Sequence, residues 1–176
     1  LLAFPTHSFN HEFRVKLNWK QYAVELKKTE MEYDFYATTI CVHNEDYSEE
    51  VHRLLIDEGF LVVTLGSSLA DDFLYKVRDL IRSHSAVTSD RLCSSIFYSL
   101  YENVPAFISG SPILMEPEEP VLALPTTKKD WIEAEFPGLA TFDGKTRKDY
   151  GDIELGVENK KEKDDLREIL YGWAGL

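Results

Sequence analysis

Serines and one aspartate cluster in residues 85–109, where a predicted buried strand gives way to a predicted helix. Ser89 and Asp90 are residue types that cap helix N-termini, and the helix that they would cap carries Ser94 and Ser95 near its start. The first N–H groups of a helix have no partner within it, and with the helix dipole they attract anions, above all phosphates. The segment therefore predicts a phosphate site at these four residues. A capped, solvated loop is the alternative that they leave open, since helix caps are common.

Two histidines are the candidates for acid–base chemistry. His7 could act as a general base, or bind a phosphate when protonated, because imidazole changes charge near neutral pH. His43 and Glu45 have the residue types of an acid–base pair. Each also has a structural interpretation: His7 as a loop histidine bonded to backbone, and His43 with Glu45 as a solvated loop.

Motifs of several common sites are missing from the sequence. It has no GxGxxG, no Walker loop and no GxSxG elbow, which argues against classical dinucleotide sites, nucleoside-triphosphate sites and hydrolase triads. No residues have metal-ligand spacing: His7 and His11 are four apart, but in a predicted loop. The formal net charge of −12 opposes nucleic acid as a partner, whereas a small anion can still bind locally at a helix start.

Composition indicates one ordinary globular domain. The chain has 176 residues, of which 44% are hydrophobic and 28% charged. Cys41 and Cys93 lie in apolar surroundings, so we expect free thiols and a cytoplasmic location. No apolar run approaches the roughly 20 residues that span a bilayer, so contact with a membrane would be peripheral.

Alternating strand and helix patterns must position the candidate residues. Strands are predicted at residues 1–4, 35–42 and 60–65, with two more within 85–109. Helix starts are predicted at Asn18, at a capping box of Asp46 and Glu49, and at Asp71 with Asp72. This alternation predicts an α/β fold: a doubly wound, Rossmann-like parallel sheet of about five or six strands with helices on both faces.

After residue 109 the sequence changes in character. Prolines and acidic residues predict an irregular excursion over residues 110–158, interrupted by a short amphipathic helix near Trp131. Residues 159–176 are predicted to form a helix that docks by an apolar face. We therefore predict a single domain over residues 1–176, with its βα core at 1–109.

Polar loops follow the predicted strands. In doubly wound sheets, ligands bind at the carboxyl ends of the strands, where the strand order reverses. The loops expected at that edge contain His7, Ser8, His43, Glu45, Gly66, Ser67, Ser89 and Asp90. Their predicted convergence favours a binding crevice.

These residues also resemble a family. Residues 73–109, with a long helix before Ser85-Ala86-Val87-Thr88-Ser89-Asp90 and a helix closing on Glu102-Asn103-Val104-Pro105, are similar to the C-terminal half of GT-B glycosyltransferases. The similarity is to the nucleotide-sugar-binding domain of bacterial surface-polysaccharide enzymes. Phe4-Pro5-Thr6-His7-Ser8, residues 58–66 and a final helix ending near Trp173 fit the same pattern. Where this chain has Cys93 and Ser95, members of that family commonly have Gly and His.

The resemblance implies one Rossmann-like lobe of a two-lobed hexosyl- or sialyltransferase. The donor's phosphate would lie over Ser89, Asp90, Ser94 and Ser95, with Arg91 as a compensating cation. Gly66 and Ser67 would approach the nucleoside, and His7 and Ser8 would face the cleft. No metal or other cofactor would be required, since the helix start stabilises the leaving group. A sugar or lipid-linked acceptor and an N-terminal lobe outside this chain would complete the enzyme.

Two alternatives remain open at this point. One is a nucleotide-sugar epimerase of the same fold, which needs no acceptor. The other is a non-catalytic α/β interaction module, in which the acidic, proline-rich arm at residues 111–125 contacts a partner.

Overall fold

Short apolar runs form the strands of this protein. The computed structural model describes residues 1–8, 14–15, 17–110, 115–116 and 128–160. Within these residues the strands are β1 (Leu2–Phe4), β2 (Arg14–Val15), β3 (Thr39–Cys41), β4 (Leu61–Val63), β5 (Val87–Ser89), β6 (Ala106–Ile108) and β7 (Met115–Glu116). His11, most of the predicted arm at 111–125 and nearly all of the predicted C-terminal helix lie outside the described residues.

The central sheet has the strand order β4-β3-β1-β5-β6, and all of its neighbouring strands are parallel. The chain moves outward from β1 to β3 and β4, then crosses back to β5 on the other side of β1. The strand order therefore reverses between β1 and β5. A separate antiparallel pair is formed by β2 and β7.

Helices cover both faces of the sheet. In chain order they are α1 (Trp19–Glu32), α2 (Glu49–Asp57), α3 (Phe73–Arg82), α4 (Ser94–Tyr101), α5 (Lys129–Glu135) and α6 (Lys148–Glu154), followed by a 3-10 turn at Val157–Asn159. Residues of α1 and α2 share one buried cluster, and residues of α3, α4 and α5 share the other. In the part of the chain that the structure describes, the predicted doubly wound, Rossmann-like α/β fold is confirmed.

Neighbouring residues of the strands supply the two cores. Leu2 belongs to the cluster under α3 and α4, whereas Ala3 belongs to the cluster under α1 and α2. The same alternation occurs on β6 between Phe107 and Ile108. Successive side chains of a strand point to opposite faces, so one short strand can serve both layers.

The helix starts agree only in part with the predictions. Asn18 caps α1 as expected, since its Oδ1 accepts a hydrogen bond from the Gln21 backbone N–H at 3.1 Å. The predicted capping box of Asp46 and Glu49 is wrong. Ser48 caps α2 instead, accepting from the Val51 N–H at 3.2 Å.

The irregular excursion predicted for residues 110–158 is more ordered than expected in its second half. The predicted helix near Trp131 is present as α5, and α6 was not predicted. Gly151 of α6 lies against the backbone of α4 at Phe97 and Tyr101. Among the described helices, none is both long enough and apolar enough to cross a bilayer.

Thr38 provides a test of how the core is packed. The residue is 1% exposed, and its buried hydroxyl has no hydrogen-bond partner among the described residues. Thr38→Val keeps the shape and removes the desolvated hydroxyl, so we expect it to stabilise the fold by about 1 kcal/mol in urea unfolding. Thr39→Val is the matched control, because the Thr39 hydroxyl lies 2.9 Å from His84 Nε2 and its removal should destabilise. A Thr38→Val protein less stable than wild type would contradict this.

Candidate active site

A cleft opens at the carboxyl ends of the strands on either side of the reversal between β1 and β5. It is lined by Phe4, Pro5, Thr6, His7, Cys41, Val42, His43, Asn44, Leu65, Gly66, Phe73, Val77, Ser89, Arg91, Cys93, Ser94, Ser95 and Tyr98. Its cavity volume is about 130 Å³. An apolar cavity of about 150 Å³ holds one benzene molecule, so this cleft can enclose a phosphate or a single small ring. A larger ligand must extend beyond it.

The structure brings some of the predicted site residues to this cleft and places others elsewhere. His7, His43, Gly66, Ser89, Ser94 and Ser95 line it. Ser8, Glu45, Ser67 and Asp90 are not among its lining residues. Glu45 and Ser67 are exposed, whereas Ser8 and Asp90 are buried. Contacts of Ser8, Glu45, Ser67 and Asp90 with a ligand therefore stay predictions.

Asp90 binds the loop after β1 across the point where the strand order reverses. Its Oδ1 accepts from the Thr6 backbone N–H and its Oδ2 accepts from the Thr6 hydroxyl, both at 2.6 Å. Asp90 is 3% exposed, and this burial raises the pKa of its carboxyl above 3.8 although the bonds from Thr6 oppose the shift. Both oxygens are engaged with Thr6 and Cys93 is the N-cap of α4, so the prediction that Asp90 caps α4 is wrong. Its contact with a phosphate stays a prediction.

The start of α4 lies later than predicted. Cys93 occupies the N-cap position with an extended backbone, and its side chain makes no capping hydrogen bond within the described residues. Ser89 is the last residue of β5 and is not a cap; its Oγ accepts a weak hydrogen bond from Cys93 Sγ at 3.5 Å. Leu92 is 7% exposed in the core beside Ile96, so the chain forms a short loop that buries Leu92 before the helix begins. Ser94 and Ser95 consequently form the first turn of α4.

A second carboxylate holds the same loop two residues further on. Asp46 Oδ2 accepts from the Ser8 N–H at 2.9 Å, and its Oδ1 accepts from the Ser8 hydroxyl at 2.6 Å. Thr6 and Ser8 are each 6% exposed. His7 lies between them, is less buried and lines the cleft. Two aspartates on different loops therefore fix the backbone on both sides of His7.

His7 and His43 stack on each other at the cleft. Their ring centroids are 4.4 Å apart and the rings are inclined by 16°. Burial lowers the pKa of His43, and the charge of His7 lowers it further, while Asp46 and Glu45 act in the opposite direction. The hydrogen bond between Glu45 and His43 comes from the Glu45 backbone N–H, at 3.4 Å from His43 Nδ1. The partner of His43 in the cleft is thus His7 and not the predicted carboxylate.

The residue types that line the cleft differ from those of the chain as a whole. Among the described residues that line it, none is Asp or Glu, whereas Arg91, His7 and His43 are basic. The whole chain has 31 acidic residues against 19 Lys and Arg. The lining also places the hydroxyls of Ser94 and Ser95 at the first turn of α4. This combination suits an anionic group.

Comparisons with known proteins add nothing to this description. No family model, curated protein or solved structure matches the chain. Function must therefore be inferred from the chemistry of the cleft.

Several lining residues were not predicted as site residues. Asn44 and Cys93 lie in loops that were predicted to converge, and their adjacency to His43 and Ser94 was the available signal. Tyr98 was missed although it follows Ser94 at helical spacing on α4, which places both on one face. Among the described residues, no group of three or more His, Cys, Asp or Glu side chains is arranged to hold a metal ion.

Proposed function

We propose that this chain is the nucleotide-sugar-binding lobe of a glycosyltransferase, and that the cleft holds a phosphate of the donor. The observation that supports this is the lining of the cleft, which lacks acidic residues in a strongly acidic chain. Of 176 residues, 31 are acidic, so eighteen residues drawn at random would include about three carboxylates. Their exclusion from the described lining favours a ligand with negative charge.

The first turn of α4 supplies the groups that bind phosphate best. Ser94 and Ser95 can donate hydroxyl hydrogen bonds, and the helix dipole places partial positive charge at the same point. Arg91, in the loop immediately before this turn, adds a guanidinium to the lining. A guanidinium and a helix N-terminus both stabilise phosphate oxygens.

The size of the cleft determines which part of the donor it encloses. At about 130 Å³ it accommodates one phosphate or one ring, and the rest of a nucleotide-sugar extends from it. Gly66 lies on the lining with φ +77°, and apart from its own atoms and its two chain neighbours no atom of the described residues is within 4 Å of where its Cβ would be. The part of the nucleotide-sugar that extends beyond the cleft can occupy this open space. Phe73 and Tyr98 supply aromatic surface for a base or sugar ring.

The chemistry that follows is group transfer to an acceptor hydroxyl. The acceptor oxygen bonds to the anomeric carbon as the bond from that carbon to the donor phosphate breaks. The bonding electrons leave with the phosphate oxygen, where Arg91 and the start of α4 stabilise the developing charge. The acceptor and the base that takes its proton are assigned to a second lobe, outside this chain.

Calorimetric titration with UDP-, GDP- and CMP-sugars tests the proposal. We expect one of these classes to bind, and Ser94→Ala or Ser95→Ala to weaken its binding about tenfold, because each removes a hydroxyl hydrogen bond to a charged group. Ser83→Ala is the matched control: Ser83 follows the last residue of α3 and lies outside the lining, so the affinity of this variant should equal that of wild type. Failure of all three donor classes to bind folded protein would overturn the proposal.

A further inference from the structure

The two edges of the central sheet are covered differently. At β6, the Ile108 N–H donates to the Leu139 carbonyl oxygen at 2.7 Å, so a later part of the chain covers that edge. At the opposite edge β4 pairs with β3, and no other strand of the described residues pairs with it. We propose that β4 binds a second copy of this chain, by antiparallel pairing of the two β4 strands about a two-fold axis. This surface is separate from the cleft, whose lining includes no residue from 60 to 64.

The hydrogen bonds between β3 and β4 determine which backbone groups of β4 remain for a partner. The Leu61 N–H donates to the Thr38 carbonyl oxygen at 3.0 Å, and the Val63 carbonyl oxygen accepts from the Val42 N–H at 2.9 Å. Leu61 and Val63 therefore direct their N–H and C=O groups toward β3. Because this direction alternates from residue to residue along a strand, both backbone groups of Val62 point to the open side.

Two further groups point to the open side for a related reason. The Phe60 carbonyl shares its peptide unit with the Leu61 N–H, and the Thr64 N–H shares its unit with the Val63 carbonyl. The N–H and C=O of one trans peptide unit point in opposite directions. From Phe60 to the Thr64 N–H, the open edge thus presents an acceptor, a donor, an acceptor and a donor.

This order of donors and acceptors is complementary to itself. In an antiparallel pair centred on Val62, the Val62 N–H of each copy donates to the Val62 carbonyl oxygen of the other. The Thr64 N–H of each copy donates to the Phe60 carbonyl oxygen of the other. Because these hydrogen bonds satisfy all of the outward groups just described, a second β4 is a fitting partner for β4.

The side chains of β4 also suit pairing with a copy. Leu61 is 59% exposed although its side chain is large and apolar. In the proposed pairing it lies beside Val63 of the other copy, on one face of the joined sheet. On the other face Val62 lies beside its counterpart, and Ile56 of α2, the helix that packs on β4, is also exposed. Association therefore removes apolar surface from water.

The charge distribution permits this contact although the chain as a whole is acidic. Residues 60–64 contain no charged side chain and no proline. Open edges of natural sheets commonly carry such residues, which prevent pairing with another chain. The formal net charge of −12 on each copy opposes association at longer distance, and salt screens this repulsion. We therefore expect the dimer to be more stable at high ionic strength.

The length of the open edge limits the affinity. Gly59 has φ +84° and Gly66 has φ +77°, so the extended chain is confined to the residues between them. A ladder of this length is small beside the roughly 1,600 Å² that a typical stable interface buries. We expect a dissociation constant on the order of 100 μM.

Sedimentation equilibrium of the full chain, at up to about 1 mM protein and about 0.5 M NaCl, tests the proposal. We expect a monomer–dimer equilibrium that Leu61→Lys weakens at least about tenfold, because lysine places a charge beside the ladder in each copy. Ile153→Lys is the matched control: Ile153 is 66% exposed on α6, so the dissociation constant should equal that of wild type. Both variants change the net charge equally, so a difference between them reports the position of the interface.

Amide hydrogen exchange of the wild-type chain identifies the groups that pair. The Val62 and Thr64 amides should exchange more slowly as the protein concentration rises, whereas the Leu61 and Val63 amides already face β3 and should exchange slowly throughout. A chain that stays monomeric over the whole range would overturn the proposal. So would a dimer that Leu61→Lys leaves intact, or one in which exchange at Val62 and Thr64 does not depend on concentration.

Discussion

Replacing Asp90 by alanine should destabilise the protein by about 3 kcal/mol in urea unfolding, because it leaves two buried donors of Thr6 without an acceptor. Both donors lie 2.6 Å from the carboxylate, and Thr6 is 6% exposed. The loop after β1 then loses its attachment to the loop after β5. We expect the His7 and His43 ring resonances to broaden in this variant, since the backbone beside His7 is no longer held.

Asp90→Asn is the matched control. It also shows how much the buried negative charge of Asp90 lowers the free energy of unfolding. Asparagine keeps the shape and can still accept from the Thr6 N–H, so it should lose much less stability than alanine. Burial raises the pKa of Asp90 above 3.8, so the native state holds this proton more tightly than the unfolded state. The contribution of Asp90 to stability therefore falls as the pH rises from 3.8 through the raised pKa. Asp90→Asn should therefore gain stability relative to wild type as the pH rises above 3.8.

Two results would contradict this account of Asp90. One is an alanine variant as stable as wild type, which would mean that Thr6 finds other partners. The other is a stability difference between wild type and Asp90→Asn that does not vary with pH.

Replacing Gly151 by alanine should cost about 2 kcal/mol, although alanine is the better helix former. A Cβ at Gly151 would lie 2.5 Å from the Tyr101 backbone nitrogen and 2.8 Å from the Phe97 carbonyl oxygen. Both atoms belong to the backbone of α4, so no side chain can move aside. The substitution must push α6 away from α4, which also carries Ser94 and Ser95.

Gly144→Ala is the control that distinguishes a steric clash of the added Cβ from the effect of replacing a glycine on the backbone. Gly144 has φ +71°, and apart from its chain neighbours no atom of the described residues would lie within 4 Å of a Cβ there. Alanine at this position therefore introduces only backbone strain, of about 1 kcal/mol. Thermal unfolding of the two variants should rank Gly151→Ala below Gly144→Ala. A Gly151→Ala protein at least as stable as wild type would show that α4 and α6 do not approach so closely.

The strands of the sheet could be predicted because buried parallel strands are continuous apolar runs. Their ends could not. Residues 35–42 are predicted as one strand, whereas the strand spans only Thr39–Cys41. Phe35 instead contacts Tyr33, Phe107 and Phe142 in an aromatic cluster. An aromatic residue before a strand looks the same in sequence whether it joins the ladder or packs beside it.

The aspartates show the limit of reading a site from sequence. Asp46 and Asp90 were both predicted as helix caps, since a carboxylate near a helix start normally binds its N–H groups. Each instead binds a residue of the loop after β1, 38 and 84 positions away in the chain. A carboxylate accepts from whichever donors lie nearest after folding, and those donors come from distant sequence. The convergence of the strand-end loops was predictable, but the side chains that face the cleft were not.

Amide chemical-shift mapping of the ¹⁵N-labelled chain is the most direct test of the central claim. Titration with UDP-, GDP- and CMP-sugars should produce saturable shifts for one class at Gly66, Arg91, Ser94 and Ser95, with little change on α2 at the far face of the sheet. If none of the three classes shifts these amides in the folded protein, the cleft does not bind a nucleotide-sugar and the proposed function is wrong.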